Sequence, residues 1–238
     1  MIACTFLTES FPLAVEAFKG YAKVKSVGYE FDEQWYTYAF FIKNNFEILE
    51  DTLNFFKLRF QHGDRFIYAC EDGSKVHALM SFLMHGSSLG LFKWTRMKER
   101  NKFLIEATTE KRKLEILYGK WFEIYLEAAA KRAVADSNDT IVVRNAIVKF
   151  KNGAIAEIDV AIRVKDELYI VEAKSGKYSK AEKYRRLINY LGIPVRNFII
   201  AHAEGKVQWF DGYFVEDMKV NSFIKFFKEW IWEGVTKP

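Results

Sequence analysis

Two short stretches of the 238-residue chain alternate acidic with aliphatic residues: Glu157-Ile158-Asp159-Val160 and Ile170-Val171-Glu172-Ala173-Lys174. Successive side chains of a strand point to opposite faces, so Glu157 and Asp159 share one face, and Glu172 and Lys174 share one face. Two neighbouring strands would bring three carboxylates and one ammonium together. Carboxylates this close repel one another, and burying them without a compensating cation is costly. A divalent metal resolves the conflict. Hard oxygen ligands suit Mg²⁺ or Mn²⁺, which keep several waters and take one or two protein carboxylates plus a substrate phosphate. Lys174 beside them can lower the pKa of a metal-bound water or stabilise charge on a pentavalent phosphorus. The chemistry such a set would serve is phosphodiester hydrolysis.

The elements that must position this set are legible around it. A long helix runs from about Thr109 through Glu115, Leu117, Trp121, Phe122, Tyr125 and Leu126 to roughly Ala135, and the polar turn Asp136 to Asp139 ends it. Ile141 to Phe150, Ile155 to Val164 and Leu168 to Ala173 read as three short strands, joined by turns at Lys151-Asn152-Gly153 and Lys165-Asp166-Glu167. Lys180 to Leu191 is a basic helix closed by Gly192 and Pro194, and Asn197 to Ala201 is a buried strand. This order implies an α/β arrangement in which helices flank a mixed sheet.

The first hundred residues read as mostly helical, an α+β part of unknown role. Glu9 to Lys19 has helical spacing, Asp32 is an N-cap, and Glu47 to Phe60 puts Ile48, Leu49, Leu53, Phe56 and Phe60 on one stripe. Phe66 to Cys70 is a strand before the Asp72-Gly73 turn, and Lys75 to His85 is a helix ended by Gly86. The aromatic and basic residues between Leu89 and Ile105 fit either a solvated hairpin or a nucleic-acid surface, the hairpin being favoured. The expected division is a domain at 1–108 and a second at 109–238.

The pattern of Asp159, a spacer of twelve residues and Glu172-Ala173-Lys174 resembles the PD-(D/E)xK nuclease superfamily, over roughly Leu114 to His202. Ile158 stands where that family has proline. Within it, Gly119-Lys120-Trp121-Phe122-Glu123, Ala156 to Val160 and Val171 to Gly176 look most like the nuclease domain of the CRISPR ancillary effectors activated by cyclic oligoadenylate. The resemblance carries over that domain and not the ligand sensor that precedes it. It implies a restriction-endonuclease-like core and a metal-dependent endonuclease, with antiviral defence, repair and recombination all open as the process it serves. Asp159, Glu172 and Glu123 would then hold Mg²⁺ or Mn²⁺, with the carbonyl of Ala173 completing the shell and Lys174 orienting or activating the nucleophile.

Lys177, Lys180, Lys183, Arg185 and Arg186 crowd a segment with one acid, Glu182, where a phosphate backbone would have to lie. Ser175 and Tyr184 are candidates for orienting phosphate, and His202 follows the last strand. The 36 basic against 31 acidic side chains, a formal +5, fit a DNA or RNA partner. Apolar runs are far shorter than the ~20 residues that cross a bilayer, so no membrane is expected. Two cysteines and no basic, apolar leader lead to an expectation of the cytoplasm. The apolar stripe Phe223, Ile224, Phe226, Phe227, Trp230 and Ile231 would dock on the domain or make a homodimer. The rival reading is a catalytically inactive nucleic-acid-binding or assembly subunit, against which the intact acidic set argues.

Overall fold

The computed structural model describes residues 10–28, 31–109, 111–175, 181–209 and 218–233. Their elements begin with α1 (Ser10–Ala17), β1 (Lys23–Val27), α2 (Glu33–Asn44), α3 (Phe46–His62), β2 (Arg65–Ala69) and α4 (Val76–Ser88). A hairpin, β3 (Phe92–Arg96) and β4 (Lys102–Ala107), precedes α5 (Lys111–Leu114) and α6 (Lys120–Ala133). Then come β5 (Thr140–Lys149), β6 (Ile155–Val164), β7 (Glu167–Lys174), α7 (Ala181–Leu191), β8 (Phe198–His202), β9 (Lys206–Trp209), β10 (Met218–Lys219) and α8 (Phe223–Lys228).

The sheet that carries the acidic residues has seven strands in the order β1-β5-β6-β7-β8-β9-β10. Turns of two to five residues join β5, β6 and β7, so these strands are antiparallel. β7 and β8 are parallel, and α7 lies in the connection between them. The α/β architecture and mixed sheet read from the sequence are those of the structure. Aliphatic residues of β5 to β8 fill the core with Tyr184, Leu187, Ile188 and Leu191 of α7 and with Ala14, Ala17 and Phe18 at α1.

The contacts of the chain divide it elsewhere than at 108. One compact unit is Phe31–Tyr125, and the other holds α1, β1 and everything described from Leu126 onward. The physical reason is β1, a polar five-residue strand with Val24 as its buried residue, which pairs along β5 from Lys23↔Lys149 to Val27↔Ala146. An isolated Val between lysines carries too little alternation to announce a strand in advance.

Within Phe31–Tyr125, helices accompany a three-stranded sheet of order β2-β4-β3. Asp32 caps α2, accepting from the amides of Gln34 and Trp35 at 3.0 and 3.3 Å. The aromatic residues are core: the Phe56 ring packs against Phe60, Phe66, Phe82 and Phe92. Two glycines act differently from the expectation. Gly86 does not end its helix, which continues to Ser88; a Cβ there would stand 2.4 Å from the Phe92 ring, so its role is close packing. Gly119, at φ 133, breaks the long helix into α5 with a 3₁₀ turn and then α6, a backbone turn that suits glycine.

In the other unit the C-terminal stripe docks on its own sheet. Phe223, Phe226, Phe227, Trp230 and Ile231 are buried, and the Trp230 indole N–H donates to the Arg196 carbonyl at 2.9 Å. No helix among the described residues is long and apolar enough to cross a membrane.

Candidate functional site

The acidic residues meet where two strands part. β6 and β7 pair from Val164↔Glu167 to Val160↔Val171 and no further. Beyond that point β6 stays with β5 as far as Ile155↔Lys149, while β7 stays with β8 to Lys174↔His202. Between the separated ends lies a cleft of roughly 700 Å³, walled by β6 from Ile155 to Asp159, by Glu172 and Lys174, and by Lys183 and Arg186 of α7. Three of the residues singled out in the sequence, Asp159, Glu172 and Lys174, thus share one cavity.

Asp159 is half-buried, and its Oδ2 accepts from the backbone amide of Ala173 at 2.8 Å. Burial and the Glu172 charge push its carboxyl up to about 7, with Glu157 adding to the rise; the Ala173 amide and the Lys174 ammonium oppose it. Glu172 is 2% exposed, and its Oε1 receives two ammoniums, Lys174 at 2.8 Å and Lys183 at 3.1 Å. Burial works to lower the pKa of Lys174, but attraction to Glu172, helped by Asp159 and Tyr184, outweighs it and holds the pKa above the usual value. Both ammoniums lie near one aromatic ring: Nζ of Lys174 and of Lys183 are 5.9 and 5.4 Å from the Tyr184 centroid. Tyr184 is fully buried, so it seats the cations from beneath instead of reaching a phosphate directly.

The other candidates are placed as follows. Glu157 is an exposed part of the cleft wall. Arg185 is exposed on α7, while Lys177 and Lys180 lie outside the described residues. Ser175 is half-buried just after β7, and the His202 ring bonds Gln208 Oε1 across 3.0 Å. Glu123 stands in the first turn of α6, on the part of the chain grouped with Phe31–Tyr125.

Among the described residues no three His, Cys, Asp or Glu side chains form a ready-made metal cluster. The inner donors of the cleft are the carboxylates of Asp159 and Glu172, the first held against ionisation by its burial and then by the Glu172 charge, with Glu157 exposed on the wall beside them. That fits a hard cation that takes only one or two protein carboxylates, Mg²⁺ or Mn²⁺, and it does not fit a closed all-protein site.

One residue at the site had no signal in the sequence. The β5–β6 ladder runs Arg144↔Val160 and then Ala146↔Ile158, leaving out Asn145 and Asp159, which lie between. Asn145 is 8% exposed and left-handed, at φ 55, a conformation that asparagine tolerates better than most residues. Its carbonyl accepts from Gly28 N at 2.9 Å, and a Cβ on Gly28 would stand 2.7 Å from the Asn145 Cβ. A break in the ladder thus lies opposite the acid that lines the cleft.

No family model matches the chain, and no curated protein does. Among solved structures, the fold is similar to that of protein VC1899 from Vibrio cholerae, with a TM-score of 0.52 at 18% identity, over 73% of this chain and 48% of that one. A second match is Can2 from Sulfobacillus thermosulfidooxidans, solved with cyclic tetra-adenylate: TM-score 0.46 and 15% identity, over 68% of this chain and 44% of that one. The chain spans about half the length of these proteins. What the likeness to VC1899 establishes is the fold, a mixed α/β sheet flanked by helices.

Proposed function

We propose that the chain is a metal-dependent nuclease that hydrolyses DNA or RNA phosphodiester bonds at the cleft between β6 and β7. The observation that carries the reading is the convergence of Asp159, Glu172 and Lys174 at the point where those strands part. Asp159 and Glu172 would hold Mg²⁺ or Mn²⁺, with Glu123 and the Ala173 carbonyl as further candidates from the motif. Such a cation, when bound, lowers the pKa of a water and neutralises phosphate charge.

The protein's own groups have separable tasks. The Ala173 amide fixes one oxygen of Asp159, which aims the other side of the carboxylate. Glu172 holds the Lys174 ammonium at 2.8 Å, restricting a flexible side chain to one position beside the cleft. Because its pKa is held above the usual value, Lys174 is a cation at neutral pH. Its part is therefore to donate hydrogen bonds to a phosphate oxygen or to the attacking water and to offset developing negative charge, not to remove a proton. Lys183 and Arg186 on the facing wall offer further contacts for phosphate oxygens, which position a substrate without reading its sequence.

The test is to incubate the purified protein with labelled single- and double-stranded DNA and RNA in Mg²⁺, Mn²⁺ or EDTA, beside Glu172→Ala. Cleavage in either metal, lost in EDTA and in the variant, supports the reading. Cleavage indifferent to EDTA contradicts it.

A further inference from the structure

We infer that Lys23, Lys149 and Lys151 form a second anion site, which takes the phosphodiester backbone of the substrate a few nucleotides from the bond that is cut. This rests on the reading of the β6–β7 cleft as a nuclease site and names more of its substrate path.

The register of three strands brings the charges together. Lys23 of β1 lies directly across from Lys149 of β5, and Lys149 lies across from Ile155 of β6. Opposed residues have Cβ atoms about 4.5–5.5 Å apart, and like charges placed so destabilise a sheet. Lys151 follows two residues on, in the turn after β5. All three are exposed, and among the described residues none of them is paired with an acid. An uncompensated lysine cluster raises the same question as an uncompensated carboxylate cluster, with the opposite sign of ligand.

The place of the cluster says which anion. The lysines border a recess of roughly 460 Å³ whose other walls include Tyr21 and Phe150, and no acid lines it. Phe150 is also a wall of the catalytic cleft, so the two hollows adjoin. The step from Ile155, beside Lys149, to Asp159 is four residues along β6, or about 13 Å at the rise of a strand. Successive phosphates of one duplex strand rise about 3.4 Å along the helix axis and lie farther apart through space, so this span covers at most about four nucleotides. A polynucleotide with a phosphate at Asp159 and Glu172 would carry later phosphates to the lysines. A free phosphate or a mononucleotide would reach only one of the two places.

Edge strands also carry lysines to discourage pairing with other sheets. That role predicts no effect on nucleic-acid binding, which gives the experiment its contrast. The Lys23→Ala, Lys149→Ala, Lys151→Ala triple variant and the matching Lys→Gln variant, which keeps the edge polar, are compared with the full-length wild type. Binding of labelled single- and double-stranded DNA and RNA oligonucleotides of about 24 nucleotides, and of dinucleotides, which are too short to reach both places, is measured in EDTA over a salt series. Each lost phosphate contact lowers the slope of log K against log salt by about 0.7–0.9, so both variants should lose about 2–3 in slope on the long oligonucleotides. Their affinity for the long oligonucleotides should fall at least about tenfold near physiological salt, with that for the dinucleotides little changed. In Mn²⁺, KM for long substrates should rise while kcat stays at the wild-type value. Wild-type slopes in both variants, with the wild type binding and cutting, overturn this inference and leave the nuclease reading standing. A wild type that neither binds nor cuts overturns both.

Discussion

The backbone amide of Ala173 on β7 donates to the carboxylate of Asp159 on β6 across 2.8 Å. The bond lies just past the last paired residues, Val160 and Val171, so a side chain bridges the strands where their ladder has ended. The carboxylate is thereby fixed at the mouth of the opening. Glu172, one residue before Ala173, shares the same cleft. Two acids on two strands meet because the strands diverge, a relation that no single stretch of sequence contains.

Glu172 should tolerate the loss of either ammonium partner better than the loss of both. Lys174→Ala leaves Lys183 at 3.1 Å, and Lys183→Ala leaves Lys174 at 2.8 Å. Each single change is expected to cost about 1 kcal/mol of stability, and the double variant about 3–5 kcal/mol, the cost of stranding a buried charge. A double-mutant cycle by chemical denaturation in metal-free buffer checks this. Additive small effects would mean that the carboxylate draws its support elsewhere.

Asp159→Asn should make the metal-free protein more stable while removing cleavage. The folded carboxyl ionises at about 7, and an unfolded aspartate ionises near 3.9. Between those values the unfolded chain has released the proton and the folded one still holds it, so rising pH favours unfolding. The metal-free wild type is expected to lose stability from about pH 4 to about pH 7 and then level off, relative to an Asn variant that lacks this slope. Thermal melts at about pH 8 should place the variant above the wild type, with the gap closing near pH 4. Added Mn²⁺ should raise the wild-type melting temperature at about pH 8 and leave that of the variant nearly unchanged.

Gly28→Ala should act on the site from the far side of β5. The new Cβ would meet the Asn145 Cβ at 2.7 Å, against a residue whose left-handed backbone marks the gap opposite Asp159. Overpacking of this kind costs about 1–3 kcal/mol. Asn145→Gly keeps the left-handed conformation accessible and should preserve cleavage, whereas Asn145→Val forces the backbone out of it and should lower both stability and rate. Thermal unfolding and initial cleavage rates of the three variants provide the check. Equal rates in the Gly and Val variants would detach Asn145 from the site.

The parts of this molecule that were legible in advance are those governed by short-range pattern. The hairpin strands β5 to β7, the helix α7 and the strand β8 follow from aliphatic alternation, turn residues and helical spacing. The grouping of Asp159, Glu172 and Lys174 follows from the period of a strand once β6 and β7 are neighbours. What was hidden depends on distant partners. β1 pairs with β5 across more than a hundred residues of chain, and its sequence, Lys-Val-Lys-Ser-Val, gives no period to read. Gly86 looks like a helix terminator until Phe92 is seen against it. Asn145 sits inside an otherwise regular strand, and its left-handed backbone answers to Gly28 and to the ladder opposite, neither of which is local. Lys183 was expected to face a phosphate backbone, and its contact with Glu172 appears only when α7 is laid against β7.

The most direct test of the central claim is the cleavage rate of Lys174→Ala on labelled DNA and RNA in Mn²⁺, with binding of the same oligonucleotides measured in EDTA. Glu172 keeps Lys183 in that variant, so the fold and the substrate path should survive. The account predicts near wild-type binding with a rate lowered by about 10²–10³ or more, the effect of losing a group that stabilises charge only in the transition state. Cleavage at the wild-type rate by Lys174→Ala would contradict it.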